Sequence, residues 1–150
     1  MPFDLERFVA AQQGVYEGAL RELRLGRKTG HWIWFIFPQL IGLGRSQMSR
    51  FYGIESIDEA RAYLDHSVLG PRLRECVSAI LATSGMTADQ IFGFLDAMKV
   101  RSSMTLFHRA APDDPLFVEV LERFYGGVAD AATEAMLGSA LSGAPRLDGG

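Results

Sequence analysis

Cysteine and lysine are nearly absent from this chain. Cys76 is the single cysteine, and only Lys28 and Lys99 among the 15 basic residues are lysine. One cysteine excludes an intrachain disulfide. His31, His66 and His108 are scattered, so no metal-ligand spacing exists, and neither a metal site nor a cofactor is expected. No uncharged apolar run approaches the roughly 18 residues of a membrane span, so no membrane association is expected. The opening residues, Met-Pro-Phe-Asp-Leu-Glu-Arg, carry no basic and apolar leader pattern. The expected compartment is the reducing cytoplasm. A Gly-x-Ser-x-Gly elbow is missing, and Cys76, mid-helix beside Val77, reads as a core residue rather than a nucleophile.

Acidic residues are missing from two stretches. Between Leu23 and Ile54 the charges are Arg24, Arg27, Lys28, Arg45 and Arg50; between Ala97 and Pro112 they are Lys99, Arg101 and Arg109. The whole chain carries −3 at neutral pH, so these are cationic islands in an otherwise acidic protein. Such islands fit binding of a small anion. Extended nucleic-acid binding, which needs a broad basic face, is not expected. The plainer alternative is arginines that simply face water.

What is present is a helical pattern. Apolar residues make up 48% and charged residues 22%, which suits one globular domain. Asp4 is placed to cap a first helix with the stripe Leu5, Phe8, Val15, Ala19, Leu20 and Leu23, stopped by Gly26. Ser46 can cap a short helix through Tyr52. Ser56 with Glu59, and Thr87 with Gln90, have capping-box spacing. Pro71 suits a first helical turn, Gly93 a break, and Asp113 or Asp114 a cap ahead of Pro115 and a helix stopped by Gly126 and Gly127. A last helix is expected over 130–138. The prediction is all-α: a single compact domain over 1–141 with about six to eight helices and no significant sheet, then a disordered tail at 142–150.

Residues 30–46 hold both tryptophans, with Trp32, Trp34, Phe35 and Phe37 ahead of Pro38 and the loop Gly42-Leu43-Gly44-Arg45-Ser46. Segment 31–37 is either a buried strand or a helix turn. Helix is preferred because no partner strand is visible. The expected division places Ile33, Phe35, Phe37 and one tryptophan in the core. The other tryptophan, with Gln39 to Ser46, faces a cleft. Glycines there let backbone N–H groups converge on an anion, although a plain turn is the simpler use. A second constellation is Asp96, Lys99 and Ser103 on one helical face, beside Ser102 and Thr105. Clustered hydroxyls disfavour a helix interior, so they mark either a ligand wall or a tight polar crossing.

The strings His31-Trp32-x-Trp34-Phe35-Ile36-Phe37-Pro38-Gln39, Gly42-Leu43-Gly44-x-Ser46, Glu59-Ala60-x-x-Tyr63-Leu64, Leu69-Gly70-x-Arg72-Leu73, Asp96-x-x-Lys99 and Ser102-Ser103-x-Thr105-Leu106-Phe107 resemble the bacterial family of domain-of-unknown-function 1810 proteins. The resemblance covers residues 4–138. It implies an all-helical single domain without an established activity. Ser67 departs from the proline that relatives carry there. Relatives are sometimes labelled calpastatin, but such inhibitors are polar, disordered chains, unlike this capped and striped sequence. There is also a remoter likeness of arrangement to helical proteins that process NAD and ADP-ribose.

The leading expectation is a cleft that binds a phosphate-bearing small molecule such as a nucleotide or ADP-ribose derivative, with its hydrolysis as a further option. Trp32 or Trp34 would stack on a base. Gln39, Gly42, Gly44, Arg45 and Ser46 would surround the phosphate. Lys99, Ser102 and Ser103 would form the facing wall, and Asp96 is the acid–base candidate. The rival is a protein-interaction module presenting Arg21, Arg24 and Arg27 to an acidic partner of unknown identity. A third reading makes Asp96, Lys99 and the hydroxyls a structural network.

Overall fold

The computed structural model describes residues 3–143. Chain order is α1 (Glu6–Gln12), α2 (Tyr16–Leu25), α3 (Ile33–Ile36), α4 (Gln47–Phe51), α5 (Ile57–Asp65), α6 (Leu69–Leu81), α7 (Ala88–Phe92), α8 (Phe94–Ala110), α9 (Pro115–Tyr125) and α10 (Ala131–Gly143). Among the described residues no strand forms, and a single parallel bridge joins Leu40 to Ile54. The all-helical prediction agrees with this, but among the described residues ten helices stand where about six to eight were expected. The excess has local causes. Gly14 at φ +78° divides the first helix into α1 and α2, and Gly93 at φ +80° separates α7 from α8. The aromatic segment makes its own short turn of helix, α3.

Several helix ends follow the local chemistry. The Ser46, Thr87 and Asp114 side chains accept from the backbone N–H of Ser49, Gln90 and Leu116. Gly26 and Gly126 take the left-handed conformation that terminates α2 and α9. Two expectations are corrected. α1 has no side-chain cap, because Leu5 rather than Asp4 occupies that position. Ser56 caps α5, but its box is half closed: the Glu59 carboxylate accepts from Glu55 N–H at 2.8 Å and pairs with Arg7 at 3.0 Å. The expected domain end at 141 falls within α10, and residues 144–150 lie outside the described residues.

α8 is the central helix. It packs against α3, α5, α7, α9 and α10, so Val100, Ser102 to Phe107 and Ala110 are all buried. A helix surrounded in this way need not be strongly amphipathic. The core joins Phe8, Trp32, Phe37, Tyr63, Phe107 and Phe117 into one cluster. The Leu40–Ile54 bridge rests on Ile41 N–H to Ile54 O and Ile54 N–H to Gln39 O, each 2.8 Å. It anchors the loop after α3 and brings Gln39 over the first turns of α8.

Candidate functional site

A cleft of about 290 Å³ opens between the 39–44 loop, the start of α8 and the start of α10. Gln39, Leu43 and Gly44 line it from the loop, Leu95, Met98, Lys99 and Ser102 from α8, Ala132 from α10, and Asp130 from just before it. The loop is held close because Gly44 faces Ser49: a Cβ at position 44 would collide with the Ser49 side chain. The Gln39 amide is half-buried, and among the described residues it has no hydrogen-bond partner. The Ser102 hydroxyl donates to Met98 O at 3.2 Å, which leaves its oxygen as an acceptor. Thr105 joins the wall to α10, donating to Arg101 O at 2.8 Å and accepting from Asp130 N–H at 2.9 Å. Asp130 itself caps α10 through Thr133 N–H at 2.9 Å and the Thr133 hydroxyl at 2.6 Å.

Charge reaches the cleft through Lys99. Its ammonium lies 3.6 Å from Asp96 Oδ1. Asp96 Oδ2 is paired at 2.6 Å with Lys28, whose side chain is only 7% exposed. Lys28 also donates to Gly30 O at 2.5 Å and lies 4.9 Å from the centre of the Trp32 ring. Its backbone N–H is fixed to Ile91 O at 2.7 Å. The turn around it is fastened by Glu22, whose Oε1 accepts from Thr29 N–H at 2.8 Å, Gly30 N–H at 3.0 Å and Trp32 Nε1–H at 3.0 Å. Partial burial alone would raise the Glu22 pKa. The Gly30, Thr29 and Trp32 donors outweigh it and hold the carboxyl at about 2.

Among the residues singled out from sequence, Gln39, Gly44, Lys99 and Ser102 meet on this cleft. Trp34 is half-buried beside it, bordering a crevice of about 10 Å³ that shares Gln39 and Gly44. Trp32 is buried at 2% exposure, and Ile33, Phe35 and Phe37 are buried with it. Gly42, at φ +99°, faces Met136 instead. Ser46 is engaged in capping α4, and Arg45 is exposed outside the cleft lining. Ser103 is fully buried, and among the described residues its hydroxyl has no partner. Asp96 sits behind Lys99 without lining the cleft. Of the basic helix end, Arg24 pairs with Glu75 at 3.5 Å.

Sequence reasoning passed over Lys28 and Glu22 as site partners, and Asp130 as a wall. The scarcity of lysine was the one signal that marked Lys28. A larger cavity of about 400 Å³ lies elsewhere, lined by Leu40, Ile41, Glu55, Ser56, Ile57, Met136 and Leu137. Its described lining is apolar apart from Ser56 and Glu55, so it is unsuited to an anion.

A family model described as a protein of unknown function (DUF1810) matches residues 2–137. The crystal structure of the conserved hypothetical protein Rv1873 from Mycobacterium tuberculosis is similar at 51% identity, covering 92% of this chain and 99% of that one, with a TM-score of 0.91. No curated protein matches the chain. No helix among the described residues is long and apolar enough to cross a membrane.

Proposed function

The chain belongs to the DUF1810 family of proteins of unknown function, and on that premise we propose that it binds a small phosphate-bearing molecule in the cleft beside Lys99. One observation carries this reading. The two acid-free stretches, far apart in sequence, contribute Gln39 and Gly44 on one side and Lys99 and Ser102 on the other to the same cavity. Lys99 supplies charge, the half-buried Gln39 amide supplies donors, and Leu43, Leu95, Met98 and Ala132 offer apolar contact to the ligand body.

Size narrows the ligand class. A cavity of about 290 Å³ is at the lower end for small-molecule sites. It suits a sugar phosphate or the phosphate end of a mononucleotide, and a whole ADP-ribose would protrude. Asp130 on the wall disfavours a second anionic group. The Asp96 carboxylate is already paired with both lysines and is not free for acid–base work. Hydrolysis is therefore not part of the reading.

A thermal-shift screen with inorganic phosphate, sugar phosphates, AMP and ADP-ribose tests it. A ligand at 100 times its dissociation constant adds about 2.7 kcal/mol of stability. That gain should vanish in Lys99→Ala. No shift with any of these compounds at millimolar concentration contradicts the proposal.

A further inference from the structure

Only two of the 15 basic side chains are lysine, and both end on one carboxylate. The two pairs are unequal. Lys28 Nζ is 2.6 Å from Asp96 Oδ2, with the lysine side chain 7% exposed. Lys99 Nζ is 3.6 Å from Oδ1, beyond ordinary hydrogen-bond length, with its side chain 25% exposed. Coulomb attraction rises with closeness and with exclusion of water, so Asp96 is bound mainly to Lys28. Lys28 has little freedom to leave. It also donates to Gly30 O and lies against the Trp32 ring, and both are fastened through Glu22.

We infer that Lys28 is a positioning residue for the cleft: by neutralising Asp96 it leaves the Lys99 ammonium to a phosphate group bound there. The inference rests on the anion-binding reading of the cleft. Without Lys28, Asp96 keeps Lys99 as its one cation among the described residues and draws it in, so an incoming phosphate must compete with a fixed carboxylate. This gives the Trp32–Glu22–Lys28 cluster a role in ligand affinity although Lys28 and Trp32 do not line the cleft.

Having two lysines makes the test direct. Labelling with ε-¹³C-lysine yields one NMR signal each for Lys28 and Lys99, assigned with Lys28→Met and Lys99→Met. Inorganic phosphate is then titrated while the Lys99 signal is followed. In the unmodified protein Lys99 should move and Lys28 should stay nearly still. Lys28→Met should weaken phosphate binding about fivefold, the upper end for a partly exposed ion pair. Asp96→Asn should bind phosphate at least as well as the unmodified protein. The double variant Lys28→Met/Asp96→Asn should recover the lost affinity, because the competing carboxylate is gone. A role confined to stability predicts no such recovery. Lys28→Met with unchanged affinity, weaker binding by Asp96→Asn, or no recovery in the double variant each overturn the inference while leaving the cleft reading intact. A Lys99 signal that ignores phosphate in the unmodified protein overturns the cleft reading, and this inference with it. If Lys28→Met does not fold, Asp96→Asn alone decides.

Discussion

Replacing Glu22 by glutamine should remove a pH-dependent part of the stability. The Glu22 carboxylate accepts three N–H groups, from Thr29, Gly30 and the Trp32 indole, at 2.8–3.0 Å. These donors favour the charged form and bring the pKa from 4.5 to about 2 against the opposing effect of burial. At full strength such a drop corresponds to about 3 kcal/mol. Solvent screening of a partly exposed carboxylate reduces this to roughly 1–2 kcal/mol. The sign follows from the depressed value. The contribution is complete above the unfolded pKa, near 4.5, and fades as pH falls toward 2. Urea unfolding of the unmodified protein and Glu22→Gln at several pH values between 7 and 2.5 measures it. The gap should be widest at pH 7 and close on acidification. A gap of constant size across that range, or none at pH 7, refutes the reasoning.

Glu59→Ala should cost about 3 kcal/mol in the same assay, since it leaves the Arg7 guanidinium, 11% exposed, without its carboxylate. Cys76 should be inert in the native protein. Burial pushes its thiol up to about 12, so a disulfide reagent at pH 8 should label it only after denaturant is added.

Helix boundaries were legible where the deciding chemistry is local. Ser46, Thr87 and Asp114 cap the helices that follow them, and Gly26, Gly93 and Gly126 end theirs. The same reasoning failed where a distant partner competes. Glu59 has the spacing to close a capping box with Ser56, but its carboxylate turns to Arg7, 52 residues away. The apolar stripe from Leu5 to Leu23 runs across the Gly14 break, so periodicity alone joins two helices that the backbone separates.

The candidate cleft, as geometry, was legible in outline rather than in detail. Aromatic density beside an acid-free loop pointed to a segment that is partly core and partly cleft wall. Which tryptophan goes inside depended on Glu22, whose carboxylate holds the Trp32 N–H, and no periodic pattern encodes that bond. Asp96 and Lys99 are one helical turn apart and so could be read together. The shorter bond from Asp96 to Lys28 exists only after the chain has folded.

A phosphate-bearing ligand is proposed to bind in the cleft beside Lys99. Backbone amide NMR mapping with AMP tests it most directly. Shifts should concentrate at Gln39, Leu43, Gly44, Leu95, Met98 to Ser102 and Asp130 to Ala132, and Lys99→Ala should abolish them. Shifts centred on the Arg21–Arg27 helix end or on the apolar cavity of Ile57 and Met136, or no shifts at millimolar AMP, would contradict it.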